Sequence, residues 1–554
     1  MRLTSICAAL VLVGCGAPLT PISTTPAPVP AAPSPEALAA GALSSPIIRP
    51  VPLVTGPLAP RVVYPTANAL ISARDSNFIF GSIGNGNAAL TINGTPVHVW
   101  PNGAYLAFLP LPPADAPRYD LVATLGTDTA RATQPVRLPA PPLLPTDSAA
   151  ADSIALDSAV ADTLPAKGDT LAAARLTADT TPVFVALGAM PDSVPADTDR
   201  VIIGRPIPRG TYKWFFLPGT VLRETGRDGA FVKVRLDDAL DAWVAASDAI
   251  TLPPGTVEPT RIASNARVVP GPDYVDLVLP IGARPAYAVE ESGTDIVLTL
   301  YGTKATTDII NYRPDDAMLR TVEWMQETSD RARYTVHLRE RPFGYLVLWD
   351  GGNLVLRLRR PPAIDTSRPL SGLTIAVDPG HPPIGATGPT GLREPQATLW
   401  VGERLAAILR ARGATVLMTR TTMDPVALGD RPVMARRGNA HLLVSVHLNA
   451  LPDGINPFRV QGSGTYFFQA QAEPLARAVE RSLVAQLQLP DHGIFYDNLA
   501  LARPTWMPSI LCEGAFLMMP DQEAALRTPQ FQEAYARGIA DGIEDYFRAL
   551  PSGR

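Results

Sequence analysis

The chain has 554 residues, which is too long for one compact core, so several domains joined by linkers are expected. Its formal net charge is only −5 and no Lys/Arg-rich run occurs, so nothing favours nucleic acid or an anionic membrane surface as a partner. Only three cysteines are present, and Cys7 lies in an apolar N-terminal stretch that export would remove. No disulfide framework is therefore expected.

The N-terminus predicts an export signal over residues 1–14. Arg2 supplies a positive charge, and residues 6–13 form an apolar run too short to span a bilayer. The segment Leu12-Val13-Gly14-Cys15 resembles a bacterial lipobox, which implies that Cys15 is acylated and becomes the mature N-terminus. Gly16 resembles an outer-membrane address, so we expect a periplasmic protein anchored in outer-membrane lipid. The alternative is an ordinary signal peptide with a chance cysteine.

Two low-complexity segments flank a predicted β-rich region. Residues 15–60 are dense in Pro and Ala and predict an extended tether, and residues 141–200 repeat Asp with Ala, Ser and Thr and predict a linker. Between them, residues 61–140 contain short apolar runs separated by Asn85-Gly86, Asn93-Gly94 and Asn102-Gly103, dipeptides that favour tight hairpin turns. A small β-sandwich, immunoglobulin-like in type, is expected here.

Two further all-β domains are predicted next. Residues 201–255 combine Trp214-Phe215-Phe216 with alternating strands and resemble a bacterial Src-homology-3-like barrel, the alternative being an unrelated small barrel. Residues 259–362 also alternate as strands, with a turn at Asp350-Gly351-Gly352-Asn353, and resemble the AMIN β-domain. The sequence thus predicts a multidomain protein in which several small all-β domains precede the last domain.

The pattern changes over residues 370–550, where apolar runs of strand length alternate with amphipathic helices. This predicts an α/β domain with a mostly parallel twisted sheet flanked by helices. Strands are expected at 373–377, 414–418, 442–446, 464–468 and 509–512. Helices are expected at 395–412, from about Pro474, and near the C-terminus, where Phe531, Tyr535, Ile539, Ile543 and Phe547 form a core-facing stripe.

Polar side chains stand where three of these strands end. They are His381, His447 and Glu513, and open α/β sheets bind ligands at this edge. Glu394 follows His381 after a glycine-containing loop that can fold it back. Two histidines and one carboxylate are a common ligand set for catalytic Zn²⁺, with a fourth position left for water.

Four motifs occur in order around these residues. They resemble the successive signatures of the zinc-dependent N-acetylmuramoyl-L-alanine amidases of the amidase_3 type. The resemblance implies that His381, Glu394 and His447 bind zinc and that Glu513 is the catalytic carboxylate. It also implies hydrolysis of the amide between the lactyl group of peptidoglycan and L-alanine of the stem peptide. The motifs are Asp378-Pro379-Gly380-His381, Gly391-Leu392-Arg393-Glu394, Ser445-Val446-His447-Leu448-Asn449-Ala450 and the segment 507–516.

Other polar residues near the motifs have supporting or structural roles in this interpretation. Arg431 and Asn449 recur in the resemblance and are expected to organise the site, and His492 lines the substrate groove or caps a turn. Asp378 is expected to hydrogen-bond near His381. Two residues are assigned no role in the site, since His441 is expected to face solvent and Cys512 to be a buried thiol.

Departures from the family pattern leave alternatives open. Pro382-Pro383 stands where glycines are usual, Pro395 follows Glu394, and Arg436 replaces a common Asn, so loop geometry and substrate fit are in question. The rivals are a peptidoglycan-binding scaffold lipoprotein without activity and a zinc peptidase acting within the stem peptide. The expected partners are peptidoglycan, outer-membrane lipid through Cys15 and an activator protein, with a role in cell separation or recycling.

Overall fold

The computed structural model describes residues 47–139, 181–193, 201–312 and 316–550. The predicted signal peptide, Cys15, and parts of the predicted tether and linker (15–46, 140–180, 194–200) lie outside the described residues. The described ranges contain several β-rich regions followed by a C-terminal α/β region, which confirms the coarse architecture. Within these ranges, no helix has the length and apolar character needed to cross a bilayer.

The first β-domain, residues 61–135, contains two antiparallel sheets that enclose a core including Ile79, Tyr105 and Tyr119. The sheet orders are β1-β2-β5 and β4-β3-β6-β7. Asn93 and Gly94 both have positive φ and join β3 to β4, as their dipeptide predicts. The strands are β1 (Arg61–Tyr64), β2 (Ser76–Ser82), β3 (Ala89–Ile92), β4 (Thr95–Val97), β5 (Ala104–Pro110), β6 (Arg118–Leu125) and β7 (Asp128–Pro135).

The segment 47–60 is packed onto the folded protein. Ile47 and Ile48 pack against the core of the C-terminal domain, and Arg49 Nε donates to Gln530 Oε1 at 2.6 Å. The tether prediction is therefore wrong for residues 47–60, because Ile47 and Ile48 pack against the C-terminal domain and the amides of Val54 and Ala59 donate to carbonyls of the first β-domain.

The second β-region forms a five-stranded sheet of order β13-β12-β11-β8-β14 and a β9-β10 pair. The fully buried strand β8 lies inside the predicted linker, so the linker boundary at residue 200 is wrong for this segment. The strands are β8 (Phe184–Leu187), β9 (Ile202–Gly204), β10 (Trp214–Phe216), β11 (Val221–Asp228), β12 (Phe231–Asp237), β13 (Leu240–Ala245) and β14 (Ala249–Thr251). Short 3-10 turns occur at Pro191–Ser193 and Ala246–Asp248.

The third β-region has sheets of order β21-β16-β17-β25-β24 and β18-β19-β23-β22, with a small β15-β20 pair. Tyr334 and Leu356 belong to the core that these sheets share. The strands are β15 (Ile262–Ala263), β16 (Ala266–Pro270), β17 (Tyr274–Pro280), β18 (Ala286–Ser292), β19 (Asp295–Tyr301), β20 (Lys304–Ala305), β21 (Ile310–Asn311), β22 (Leu319–Thr328), β23 (Arg331–Leu338), β24 (Gly344–Asp350) and β25 (Asn353–Arg359).

The C-terminal domain has one six-stranded sheet of order β27-β26-β28-β31-β29-β30. All its pairings are parallel except β29 with β31. The strands are β26 (Thr374–Pro379), β27 (Thr415–Met418), β28 (Leu442–Asn449), β29 (Ser463–Phe467), β30 (Asp491–Tyr496) and β31 (Ser509–Phe516).

Five helices and one 3-10 turn complete the domain. They are α1 (Glu394–Ala411), α2 (Asp430–Arg437), the 3-10 turn Ala470–Ala472, α3 (Glu473–Leu487), α4 (Pro520–Leu526) and α5 (Pro529–Ala549). The predicted stripe of α5 is buried in the main core of the domain. Pro395 stands in the first turn of α1 and Gly413, with φ +94°, follows its end, which explains why this helix was predictable to within a residue.

Candidate active site

The site forms where the central parallel strands end. β26, β28 and β31 are neighbours, and their register pairs Asp378 with Ser445 and His447 with Glu513. His381 comes two residues after β26 ends at Pro379. The strand order therefore brings both histidines and Glu513 to one edge of the sheet, as the sequence predicts.

Glu394 completes a compact triad with the two histidines. Its Oε2 lies 3.2 Å from His381 Nε2 and its Oε1 lies 3.2 Å from His447 Nδ1. One ligand atom from each residue lies within 4.8 Å of the other two. The imidazole rings meet edge to face, with centroids 4.9 Å apart. Three nitrogen and oxygen donors this close fit the ligand set of a catalytic zinc site.

Backbone amides hold the Glu394 carboxylate in place. Leu448 N donates to Oε1 at 3.1 Å and Ala386 N donates to Oε2 at 2.9 Å. Burial alone would raise the pKa of Glu394, but hydrogen bonds from His381 and His447 hold this pKa well below its usual range. Glu394 is therefore anionic and oriented towards both histidines.

The pKa of Glu513 is shifted in the opposite direction from the pKa of Glu394. Burial and the charge of Glu394 raise the pKa of Glu513 well above its ordinary value. Its Oε2 is buried and has no hydrogen-bond partner among the described residues. Two carboxylates whose surroundings drive their pKa values apart are typical of one metal ligand beside one proton carrier.

Arg431 fastens the loop that carries His381. Its guanidinium donates to Asp378 Oδ1 at 2.8 Å and to the carbonyls of Pro379, His381 and Pro382 at 3.0–3.1 Å. Asp378 also accepts from Ser445 Oγ at 2.6 Å, so its oxygens face the network and not the triad. Arg431 and Asp378 therefore hold the loop that carries His381.

Glycine is needed at position 380 because His447 comes so close. A Cβ there would lie 2.5 Å from the His447 ring. His381, the next residue, has φ +61°, a conformation that non-glycine residues rarely adopt. Such a conformation persists only where the surroundings impose it, and here the hydrogen bond from Arg431 to the His381 carbonyl does so.

Three buried residues that position the site were not found from the sequence. Arg420 donates to the carbonyls of Pro379, Gly380 and Pro395 at 2.7–2.9 Å. Tyr535 Oη lies 2.9 Å from His447 O and 2.8 Å from Cys512 O, and accepts from Gly514 N at 2.7 Å. Glu523 accepts from the amides of the loop before Glu394. Their only sequence signal is a polar group inside an apolar helix face or beside a strand.

An aromatic wall lies beside Glu513. In β29, Gly464 pairs with Glu513, and a Cβ on Gly464 would contact Phe495 and His492. Tyr466 stacks on Phe495 with ring centroids 4.8 Å apart, and His492 lies 5.0 Å from Phe495. Burial and the Glu513 carboxylate raise the pKa of Tyr466 to about 12. We call Tyr466, His492 and Phe495 the aromatic wall.

Asn449 is the last residue of β28, two positions after His447. Its amide is next to the Tyr466 hydroxyl, but no hydrogen bond of ordinary geometry reaches its buried Nδ2 within the described part of the chain. His441, by contrast, does not face solvent as expected, because its Nδ1 accepts from Thr374 N at 3.0 Å, and burial beside Arg359 lowers its pKa to about 4. Cys512 is a buried free thiol, as predicted.

Residues 375–545 match the family described as N-acetylmuramoyl-L-alanine amidase, Amidase_3. This part of the chain, which contains the whole triad and Glu513, is therefore an Amidase_3 domain.

Individual relatives match about a third of the chain. It is 30% identical over 186 residues to "Probable cell wall amidase LytH" of Staphylococcus epidermidis, covering 33% of this chain and 61% of that protein. It is 31% identical over 199 residues to "N-acetylmuramoyl-L-alanine amidase LytC" of Bacillus subtilis, covering 34% of this chain and 39% of that protein. The solved structure of the amidase AmiC2 of Nostoc punctiforme shares 32% identity and covers 32% of this chain and 98% of its own, with a TM-score of 0.30. The chain thus spans less than two thirds of the two curated relatives.

Proposed function

We propose that this protein is a zinc-dependent N-acetylmuramoyl-L-alanine amidase that hydrolyses the amide between the lactyl group of N-acetylmuramic acid and L-alanine in peptidoglycan. The observation that carries the proposal is the His381, Glu394 and His447 triad inside an Amidase_3 domain, with Glu513 beside it, whose Oε2 has no hydrogen-bond partner among the described residues. Cell-wall amidases among the similar proteins support peptidoglycan as the substrate.

The triad residues fit Zn²⁺ in number and kind. Each offers one donor atom, both imidazoles are paired with the Glu394 carboxylate, and Glu394 itself is anionic. A zinc ion bound there would lower the pKa of a water molecule and polarise the scissile carbonyl. His381, Glu394 and His447 hold the ion in this proposal, and Asp378 and Arg431 fix the loop that presents His381.

Glu513 moves the proton. Amide hydrolysis has to remove a proton from the attacking water and protonate the amine that leaves, here the amino group of L-alanine. Glu513 Oε2 is the atom on which that proton is held, because it is buried and has no partner among the described side chains. Glu513 begins as the carboxylate, takes the proton from the water and then gives it to the departing amine, so it ends as the carboxylate again.

The aromatic wall and Asn449 are proposed to contact the substrate. Tyr466, His492 and Phe495 offer flat apolar faces beside Glu513, which suit a sugar ring or an alanyl side chain. The Asn449 amide, which lies next to the Tyr466 hydroxyl, is proposed as a donor for a substrate carbonyl. Arg431 supports the site through its hydrogen bond to the His381 carbonyl.

The location is proposed from the sequence alone. We propose that Cys15 is acylated and anchors the protein in the outer membrane, so that it acts on peptidoglycan from the periplasmic side. Activation by a partner protein and a role in cell separation belong to the same proposal. Labelling of the full-length protein with a radioactive fatty acid, compared with Cys15→Ala, tests the anchor directly.

The test of the activity is digestion of purified peptidoglycan by the full-length protein, with chelator and with zinc added back, followed by mass spectrometry. Zinc-restored release of intact stem peptides with a free L-alanine amino group is the expected result. Cleavage inside the stem peptide would establish a peptidase instead, and zinc binding without cleavage would favour the scaffold. Glu513→Gln should abolish hydrolysis but keep zinc, whereas His447→Ala should lose both; equal zinc loss in the two would contradict the assigned roles.

A further inference from the structure

One sheet of the first β-domain is buried on both faces. In β2, Ile79 points into the sandwich core, whereas Phe78 and Phe80 lie on the opposite face, and all three are at most 6% exposed. In β5, Tyr105 faces the core and Leu106 the other side, and both are buried. An antiparallel sheet at the surface of a free domain normally alternates buried and exposed residues, so this second face is covered.

The cover comes from the C-terminal domain, at the segments that follow the active residues. Phe516, Met518 and Met519 join the outer face of the sheet in one apolar cluster and are each at most 4% exposed. Phe516 stands three residues after Glu513 in the chain. Leu451, four residues after His447, and Phe458 pack against the same cluster. The cluster therefore contacts the ends of both central strands of the site.

A polar contact fixes the relative orientation of the two domains. Asp453 accepts hydrogen bonds from Tyr64 Oη and from Asn77 Nδ2, the latter at 2.8 Å, through Oδ1, and from Ser72 N at 2.8 Å through Oδ2. Asn77, which is fully buried, accepts in return from Gly454 N at 3.0 Å. A carboxylate with three donors from another domain specifies one orientation, because any rotation leaves buried polar groups without partners.

We infer that the first β-domain is docked on the C-terminal domain in one fixed orientation and positions the segments 449–458 and 516–519 beside the site. It is not a freely tethered module. Its partner is the C-terminal domain of the same chain. The segments that it holds follow closely after His447 and Glu513 in the chain. Their conformation therefore determines how the ends of these two strands are presented to substrate. The part of this inference that concerns catalysis rests on the function proposed above, whereas the docking itself does not.

Hydrogen–deuterium exchange on the full-length protein tests the docking. Asp453→Ala removes the acceptor of all three donors, and Phe80→Asp places a charge on the docking face while sparing the sandwich core. Asp120→Ala is the matched control, because Asp120 accepts from Thr133 and Arg118 on the exposed side of the same β-domain.

Amide exchange in residues 449–458 and 516–519 should become at least about tenfold faster in both test variants and stay unchanged in Asp120→Ala. Hydrolysis by Asp453→Ala should fall about tenfold with zinc content unchanged. Wild-type exchange in both segments of both test variants would overturn the inference. Because exchange is read without any turnover, an inactive wild-type protein would refute the proposed function and leave this result intact.

Discussion

The loop between His381 and Glu394 depends on one buried carboxylate. Glu523 of α4 is fully buried, and its oxygens accept from Thr390 N at 2.8 Å and from Leu392 N at 2.9 Å. A Cβ on Gly388 would lie 2.6 Å from Glu523 Cδ, so the loop is closed tightly over the side chain. The two proposed zinc ligands at the ends of this loop are thus held partly from a distant helix.

Glu523→Ala would leave the buried Leu392 amide and the half-buried Thr390 amide without this acceptor. An unsatisfied buried group costs about 1–3 kcal/mol and a half-buried one costs less, so the closed loop loses about 1–4 kcal/mol relative to open conformations. Loss of a group that orients metal ligands typically weakens metal binding about 10–100-fold, and we expect a loss in that range. Glu523→Gln keeps one acceptor oxygen and should lose less.

The assay is competition for zinc between the full-length protein and a chromophoric chelator, together with thermal unfolding of the zinc-free protein. Glu533→Ala is the control, since Glu533 makes only an exposed ion pair with Arg537 on α5. It should bind zinc as the wild type does. If Glu523→Ala also holds zinc with wild-type affinity and unfolds at the same temperature, the loop does not depend on Glu523 and the reasoning fails.

Two further predictions concern buried groups of the same domain. Burial raises the pKa of Glu480 to about 7 from 4.5, so the folded chain keeps a proton that the unfolded chain releases, and the free energy of unfolding falls as pH rises through this window. A pKa difference of about 2.5 corresponds to about 3 kcal/mol, so Glu480→Gln should raise the melting temperature at pH 8 but not at about pH 4.5; an equal effect at both would contradict the cause. Tyr535→Phe keeps the ring but leaves Gly514 N without its acceptor, which should cost about 1–3 kcal/mol and reduce kcat with little change in KM. Unchanged melting and hydrolysis in Tyr535→Phe would show that this hydroxyl does not position the strand ends.

The strand ends of the site could be predicted because they follow local rules. A buried parallel strand is a short apolar run, and the polar residue that ends it marks the ligand edge of the sheet. His447 and Glu513 both satisfy this pattern, and the structure pairs them directly. Pro395 and Gly413 likewise mark the ends of α1.

The supporting residues could not be predicted because their contacts are distant in sequence. Arg420 meets Pro379 from 41 positions away, and Glu523 meets Leu392 from 131 positions away. Both act on backbone groups, which carry no residue identity, so nothing in the partner segment signals the contact. The prediction that His441 faces solvent was wrong for the same reason, since its partner is the backbone amide of Thr374.

The docking face had a local signal that sequence reasoning passed over. Phe78-Ile79-Phe80 in β2 and residues 104–110 in β5 are consecutive apolar residues, whereas β6 and β7 alternate in burial. An uninterrupted apolar strand in an antiparallel sandwich indicates burial on both faces. The Asn-Gly dipeptides indicate hairpins only, whereas the missing alternation distinguishes a docked domain from a free one.

The two prolines after His381 are the strongest sequence argument for a scaffold without activity. Proline lacks an N–H, so Pro382 and Pro383 bring no amide donor that the loop must satisfy. The carbonyls of His381 and Pro382 both accept from Arg431 Nη2, at 3.0 and 3.1 Å, and Arg431 is itself anchored by Asp378. A loop with two prolines and satisfied carbonyls presents His381 to Glu394 at 3.2 Å, so the departure from the family pattern is accommodated without loss of the triad. It therefore lends the scaffold alternative no structural support.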